Sequence, residues 1–120
     1  MKLLVLGGTK FLGRHLVEAA LDRGHDVVLF HRGQTGAGLF PTLEHVIGDR
    51  DGGLEGLHGR TFDAVLDTSG YVPRLVRAST ELLSGSAGFY AFISSISVYP
   101  DHTPPGYDES APTLELTDPA

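Results

Sequence analysis

Closely spaced glycines at positions 7, 8 and 13 interrupt an apolar run, Leu3-Leu-Val-Leu6, and a patterned segment follows them. A backbone without Cβ atoms can turn sharply there and expose its N–H groups at the start of a helix, where the helix dipole also favours negative charge. The chemistry on offer is the cradling of a diphosphate by amides, which makes a dinucleotide the first ligand to expect. In this reading Gly7 takes the tight turn, Gly8 and Thr9 present backbone to the phosphates, and Gly13 lets the helix pack closely on the sheet. A plain strand-to-helix turn is the alternative, since glycine patterns of this kind also occur without a ligand.

Three further places carry polar groups at useful positions. The end of the second strand in dinucleotide-binding folds supplies the group that reads the adenosine ribose, a carboxylate for NAD or an arginine for the 2′-phosphate of NADP. Here Phe30-His31-Arg32 stands at that place with no carboxylate. Arg32 can hold a phosphate through paired hydrogen bonds, so NADP is expected over NAD; an ordinary solvated arginine is the competing reading. His31 could stack on the ribose or donate to it, although a loop histidine is more often polar surface. Asp49, after the third apolar stretch, could accept from the exocyclic amine of adenine or simply form a turn behind Gly48. The run Phe92-Ile-Ser-Ser-Ile-Ser-Val-Tyr99 gathers hydroxyls at the end of the fifth strand, where open α/β sheets hold ligands. Ser95 could there donate to a substrate carbonyl or hydroxyl, or the serines could bond their own backbone. The only lysines are Lys2 and Lys10, so neither Tyr99 nor Tyr107 has a lysine four residues on, and no Tyr-x-x-x-Lys acid/base pair exists in these 120 residues.

The elements that must position these groups can be read from periodicity. Residues 2–6 form an unbroken apolar strand of the kind buried on both faces of a parallel sheet. Residues 11–23 predict a helix with Leu12, Leu16, Ala19 and Ala20 on its apolar stripe, Arg14, Glu18 and Asp22 opposite, and Gly24 as a left-handed stop. Strands follow at 26–30, 44–47, 62–66 and 89–93. A glycine-rich connection covers 33–41, and a short, poor helix anchored by Leu54 and Leu57 lies within 51–60. Pro73 opens a second long helix, with Leu75, Val76, Ser79, Leu82 and Leu83 at helical spacing before Gly85. This alternation predicts an α/β fold, a Rossmann-like doubly wound parallel sheet of about five strands in the order 3-2-1-4-5, incomplete at its far edge. Residues 1–99 are expected to form the dinucleotide-binding domain and 100–120 a proline-rich loop or tail, cut short before a catalytic helix.

Composition narrows the function classes. A formal charge of −6 argues against a nucleic-acid backbone as partner, which needs clustered Lys and Arg. No apolar run reaches the roughly 20 residues that span a bilayer, so a membrane association is not expected and a cytoplasmic location is. The chain has no cysteine, and its histidines at 15, 25, 31, 45, 58 and 102 make no His-x-x-x-His pair, so no metal site is expected.

These residues resemble a family: the NAD(P)-dependent epimerase/dehydratase-like proteins of the extended short-chain dehydrogenase/reductase group. The resemblance spans about residues 1–112 and rests on Leu-Gly-Gly-Thr-Lys-Phe-Leu-Gly-Arg-His-Leu at 6–16, Arg-Gly-His-Asp-Val at 23–27, Gly-Asp-Arg at 48–50 and Ile-Ser-Ser-Ile-Ser-Val-Tyr at 93–99. It implies that Gly7, Gly8, Thr9, Lys10, Phe11, Leu12, Gly13, His31, Arg32, Asp49 and Arg50 contact the cofactor and that Ser95 is the catalytic serine. Lys10 stands where the family's glycine pattern has its middle glycine, and Asp67-Thr-Ser-Gly-Tyr71 replaces a small-residue run on the nicotinamide side. The resemblance implies the NADP-binding portion, with NAD as the alternative, of an oxidoreductase, epimerase or dehydratase acting on a small hydroxy or keto substrate such as a sugar nucleotide. A non-catalytic nucleotide sensor is the competing function, and an RNA-binding relative is disfavoured by the acidic charge. The unpaired last strand of an incomplete sheet predicts self-association.

Overall fold

Apolar runs such as Leu3–Leu6 and Val27–Phe30, too uniformly hydrophobic for a sheet with one wet face, lie in a sheet of five parallel strands in the order β3-β2-β1-β4-β5. The computed structural model describes residues 1–33, 38–95 and 98–115. Part of the glycine-rich connection, two residues of the hydroxyl run and the last five residues of the expected tail lie outside the described residues. The strands are β1 (Lys2–Leu6), β2 (Asp26–His31), β3 (Glu44–Ile47), β4 (Ala64–Asp67) and β5 (Tyr90–Phe92); the helices are α1 (Phe11–Asp22) and α2 (Pro73–Leu83), with a 3-10 turn at Glu55–Leu57. The central strand β1 pairs with β2 from Lys2↔Asp26 to Leu6↔Phe30 and with β4 from Leu3↔Ala64 to Leu6↔Asp67.

Alternation along β1 divides the core. Leu4 and Leu6 pack with Val28, Phe30, Val65, Leu54, Leu57, Phe62 and Leu83 on the face covered by α2 and the 3-10 turn. Leu3 and Val5 pack with Val17, Ala20, Val27, Leu29 and Ala64 on the face covered by α1. With both faces covered, all five strands end their carboxyl termini along one edge, the place where such sheets hold ligands.

Two expectations shift. The buried face of α1 is Gly13, Val17 and Ala20, whereas Leu12 and Ala19, expected on the apolar stripe, are exposed. The cause is a backbone contact: a Cβ built on Gly13 would sit 2.7 Å from both Cα and N of Gly8, so the helix is rotated to lay its glycine on the turn. Gly13 therefore secures close packing against the glycine turn, where packing on the sheet was expected. At the other end the chain leaves α1 as read, with Gly24 at φ 79° and the His25 N–H bonded to the Ala20 carbonyl at 3.1 Å. The fourth strand begins at Ala64, two residues later than expected, because Phe62 makes only an isolated bridge to Ala87 and its ring turns into the core.

A methyl group at position 13 must push helix and turn apart, and the obstacle is backbone that cannot swing away. Gly13→Ala is expected to lower stability by about 1–3 kcal/mol, read as a lower urea midpoint. Gly85→Ala, at a position with open space around the missing Cβ and no positive φ, should stay within about 0.5 kcal/mol of the parent.

Candidate cofactor-binding site

The turn from β1 into α1 is built from backbone that only glycine tolerates. Gly7 and Gly8 lie at φ 108° and 87°; a Cβ on Gly7 would overlap the Thr68 hydroxyl, and one on Gly8 would come within 2.9 Å of a Leu29 methyl. Thr68 is itself fixed, donating from both its N–H and its hydroxyl to the Leu6 carbonyl at 3.0 and 2.9 Å. Lys10, in extended conformation, begins the helix without a side-chain capping bond, and no acidic residue stands in the first turn. The first helical bond runs from the Arg14 N–H to the Lys10 carbonyl at 2.7 Å. The amides of Phe11, Leu12 and Gly13 thus have no carbonyl ahead of them and form the positive end of the helix dipole.

A cleft of about 430 Å³ opens over these amides along the carboxyl ends of β1, β2, β3 and β4. Every expected cofactor-contacting residue lines it: Gly7 through Gly13, His31, Arg32, Asp49 and Arg50. Ser95 does not line it; it is exposed, three residues past the end of β5, and its carbonyl accepts from the Val98 N–H at 3.1 Å. The side chains of Lys10 and Arg32 are exposed on the cleft with no ion-pair or hydrogen-bond partner among the described residues, so two cations face a site already rich in amide donors. Asp49 does form the turn that was one of its two readings, its Oδ1 accepting from the Asp51 N–H at 2.8 Å while the residue remains exposed on the cleft.

His31 and Arg50 turned out to be buried. His31 Nδ1 accepts from the Gly33 N–H at 2.9 Å, and its Nε2 lies 2.8 Å from Nδ1 of His45, a residue the sequence did not mark. Arg50 makes a bidentate pair with the fully buried Asp67, at 2.6 and 2.9 Å, and donates further to Ser79 Oγ at 2.7 Å, Ser69 Oγ at 3.3 Å and the Leu75 carbonyl at 3.3 Å. Tyr90 completes the cluster, donating its hydroxyl to Asp67 Oδ2 at 2.7 Å. Arg50 is therefore a strut that ties the loop after β3 to β4, α2 and β5 beneath the cleft floor, with its Nε alone lacking a partner.

The sequence carried one signal for this cluster that spacing rules do not use: Asp67, a carboxylate ending an apolar strand buried on both faces, requires a cation, and Arg50 follows a strand whose carboxyl end lies along the same edge of the sheet. Thr68, Ser69, Tyr71 and Leu75, which also line the cleft, were not singled out as contacts.

Removing one member of a buried charge pair leaves the other uncompensated. Asp67→Asn is expected to cost about 3–5 kcal/mol in a denaturant titration, and Tyr90→Phe, which deletes one hydrogen bond to a charged group, about 1.5–3 kcal/mol. Burial, with the neighbouring Asp67 carboxylate adding to it, pushes the Tyr90 phenol up to about 12. Because that value lies above the ordinary 10.0, the phenol's contribution to stability is whole below pH 10 and is lost as pH rises toward 12. An alkaline absorbance titration of the wild type against Tyr90→Phe should show the missing tyrosine as the late-ionising one.

Comparison with known proteins agrees with this geometry. Residues 3–65 match the NAD dependent epimerase/dehydratase family. A bifunctional pinoresinol-lariciresinol reductase of Linum corymbulosum is 50% identical over 38 residues, 32% of this chain and 12% of that protein. The chloroplast stem-loop binding protein of 41 kDa b of Arabidopsis thaliana is 32% identical over 114 residues, covering 82% of this chain and 30% of that protein. The chain thus spans well under half the length of these relatives. Among solved structures, a UDP-galactose 4-epimerase superposes with a TM-score of 0.79 at 22% identity, over 95% of this chain and 45% of the epimerase, a likeness of fold. With the profile match covering over half of the chain and the glycine turn and sheet order in place, the chain belongs to the NAD dependent epimerase/dehydratase family and holds its N-terminal NAD(P)-binding domain.

Proposed function

We propose that the cleft binds NADP, and that the chain is the cofactor-binding portion of an oxidoreductase, epimerase or dehydratase acting on a small hydroxy or keto substrate such as a sugar nucleotide. Members of the family take NAD or NADP. The observation that carries the choice of NADP is Arg32: exposed at the end of β2, without a partner among the described residues, on the wall of the cleft where no carboxylate competes for a ribose. The uncapped amides of Phe11, Leu12 and Gly13 support the placing of the diphosphate, and Lys10 adds charge beside it. Space points the same way, since side chains at Gly7 or Gly8 would collide with Thr68 and Leu29, and the glycines keep the floor at backbone height.

When bound, the nicotinamide supplies hydride transfer to or from a carbinol or carbonyl carbon. The chain's own part is then to hold the phosphates on the amides of Gly8 to Gly13, to accept an adenine N–H on Asp49, and to hold the substrate oxygen on Ser95 beyond β5. Ser95 alone can position or polarise and cannot shuttle a proton as a lysine-assisted tyrosine would. The lysine inventory, Lys2 and Lys10 only, supports a second reading in which these residues bind nucleotide as a sensor without turnover. Stem-loop binding, named for the Arabidopsis relative, sits poorly with a charge of −6. Exposed Phe89, Phe92 and Ile93 around the three-residue edge strand β5 support self-association, which sedimentation velocity would reveal as a species larger than the single chain.

Titration of the purified chain with NADPH and NADH tests the reading. NADPH is expected to bind more tightly, and Arg32→Ala to weaken NADPH by about 10- to 100-fold while leaving NADH within about twofold. Equal loss for both nucleotides would overturn the role of Arg32, and no binding of either would overturn the reading of the cleft.

A further inference from the structure

Three hydrogen bonds run through His31 and His45, and the backbone at each end dictates their direction. The Phe40 carbonyl, an acceptor only, lies 2.9 Å from His45 Nε2, so that nitrogen carries a proton. The Gly33 N–H, a donor only, lies 2.9 Å from His31 Nδ1, so that nitrogen is bare. Between the rings, His31 Nε2 and His45 Nδ1 stand 2.8 Å apart. With both imidazoles neutral, His31 Nε2–H donates to the bare Nδ1 of His45 and every contact has one donor and one acceptor. A further proton has no tolerable place. On His31 it occupies Nδ1 and faces the Gly33 N–H; on His45 it occupies Nδ1 and faces the His31 Nε2–H.

The relay spans the adenosine end of the cleft. His31 and His45 sit on adjacent strands, diagonal in the register that pairs His31 with Ile47 and Leu29 with His45, and their rings meet edge to face at 5.0 Å. One end holds Gly33, at φ 77°, directly behind Arg32. The other holds Phe40, a non-glycine residue at φ 53° whose carbonyl also accepts from the Leu43 N–H at 3.0 Å. A bulky residue in the left-handed region persists only where its surroundings secure it. The pair thus ties together both described ends of the connection between β2 and β3.

We propose that His31, braced by His45, is a positioning residue for the adenosine end of the dinucleotide, holding Arg32 and Gly33 in their binding conformation only while its ring is neutral. This rests on the reading of the cleft as a dinucleotide site. The charges around the pair do nothing to steady a protonated ring: Glu44, beside His45 on β3, is held by Arg60 at 2.6 and 2.7 Å, and neither ring has a carboxylate partner among the described residues. From the other elements of the cleft come Lys10 after β1, Arg32 after β2 and Asp49 after β3, the last engaged with the Asp51 N–H. Burial, and then the neighbouring His45, hold the His31 imidazole below its ordinary 6.5. The relay's contribution is therefore whole above pH 6.5 and is lost as pH falls through the lower value of the folded protein.

Calorimetric titration with NADP between about pH 8 and about pH 5 tests this, in the wild type, His31→Asn and His31→Phe. Asn places an acceptor oxygen where Nδ1 stood and cannot take a proton; Phe removes the acceptor. The 2′-phosphate titrates near pH 6 on its own, so the decisive quantity is the difference between variants that share this ligand. The wild type is expected to lose about tenfold more affinity on acidification than His31→Asn, while His31→Phe binds about tenfold more weakly than the wild type near pH 8. Nitrogen-15 spectra of the nucleotide-free protein should show both rings as Nε2–H tautomers at neutral pH. Parallel pH profiles for the wild type and His31→Asn, or an Nδ1–H tautomer on either ring, overturn the proposal and leave the dinucleotide site standing. An absence of NADP binding at every pH, with the tautomers as expected, overturns the site and the proposal together.

Discussion

The contact on which the rest depends is the approach of one glycine backbone to another. Gly13 rests on Gly8 with no room for a methyl between them, and that closeness sets the distance and the rotation of α1 against the turn that precedes it. The rotation sends Val17 and Ala20 into the core and leaves Leu12 exposed on the cleft. It also points the unpaired amides of the first helical turn at the space above the sheet. Packing and ligand chemistry are here the same constraint, because any residue that filled the contact would shift the donors as well as the helix.

Two arginines that lie at comparable places, each just beyond a strand of the same sheet edge, have opposite fates. Arg50 is drawn under the cleft floor by Asp67, and Ser79, Ser69 and the Leu75 carbonyl take up its remaining reach. Arg32 remains at the surface with no partner among the described residues. Burial of a guanidinium is tolerable only against a carboxylate with its own lone pairs satisfied, which Ser69 N–H and the Tyr90 hydroxyl provide. The first arginine stiffens the site, and the second is left to meet whatever anion enters. The histidine pair is joined in the same spirit, with hydrogen bonds of fixed direction in place of charge.

Much of this was legible beforehand because it depends on local rules. Strand and helix alternation, the unbroken apolar character of Leu3 to Leu6, Pro73 at a helix start and Gly24 at a helix end each follow from backbone geometry within a few residues, and together they dictate a parallel sheet in the observed order. The turn from Gly7 to Gly13 that lines the cleft was readable for the same reason, since glycines that bend a strand into a helix follow local sterics.

What the chain order could not reveal lies in pairings across many residues. Whether Arg50 faces ligand or core is decided by Asp67, seventeen positions away, and His31 is buried with both ring nitrogens engaged because β3 delivers His45 beside it. The face of α1 missed by one position because an apolar periodicity leaves the rotation of a helix uncertain by about a residue, and a backbone contact with the turn resolved it. The amino-acid sequence by itself determined the kind of sheet, the glycine turn and the class of ligand, all set by short-range sterics and by which faces must be dry. Only the tertiary structure decided which charged and imidazole side chains are consumed internally and which remain for a ligand, because burial and partnership exist only once distant segments have come together.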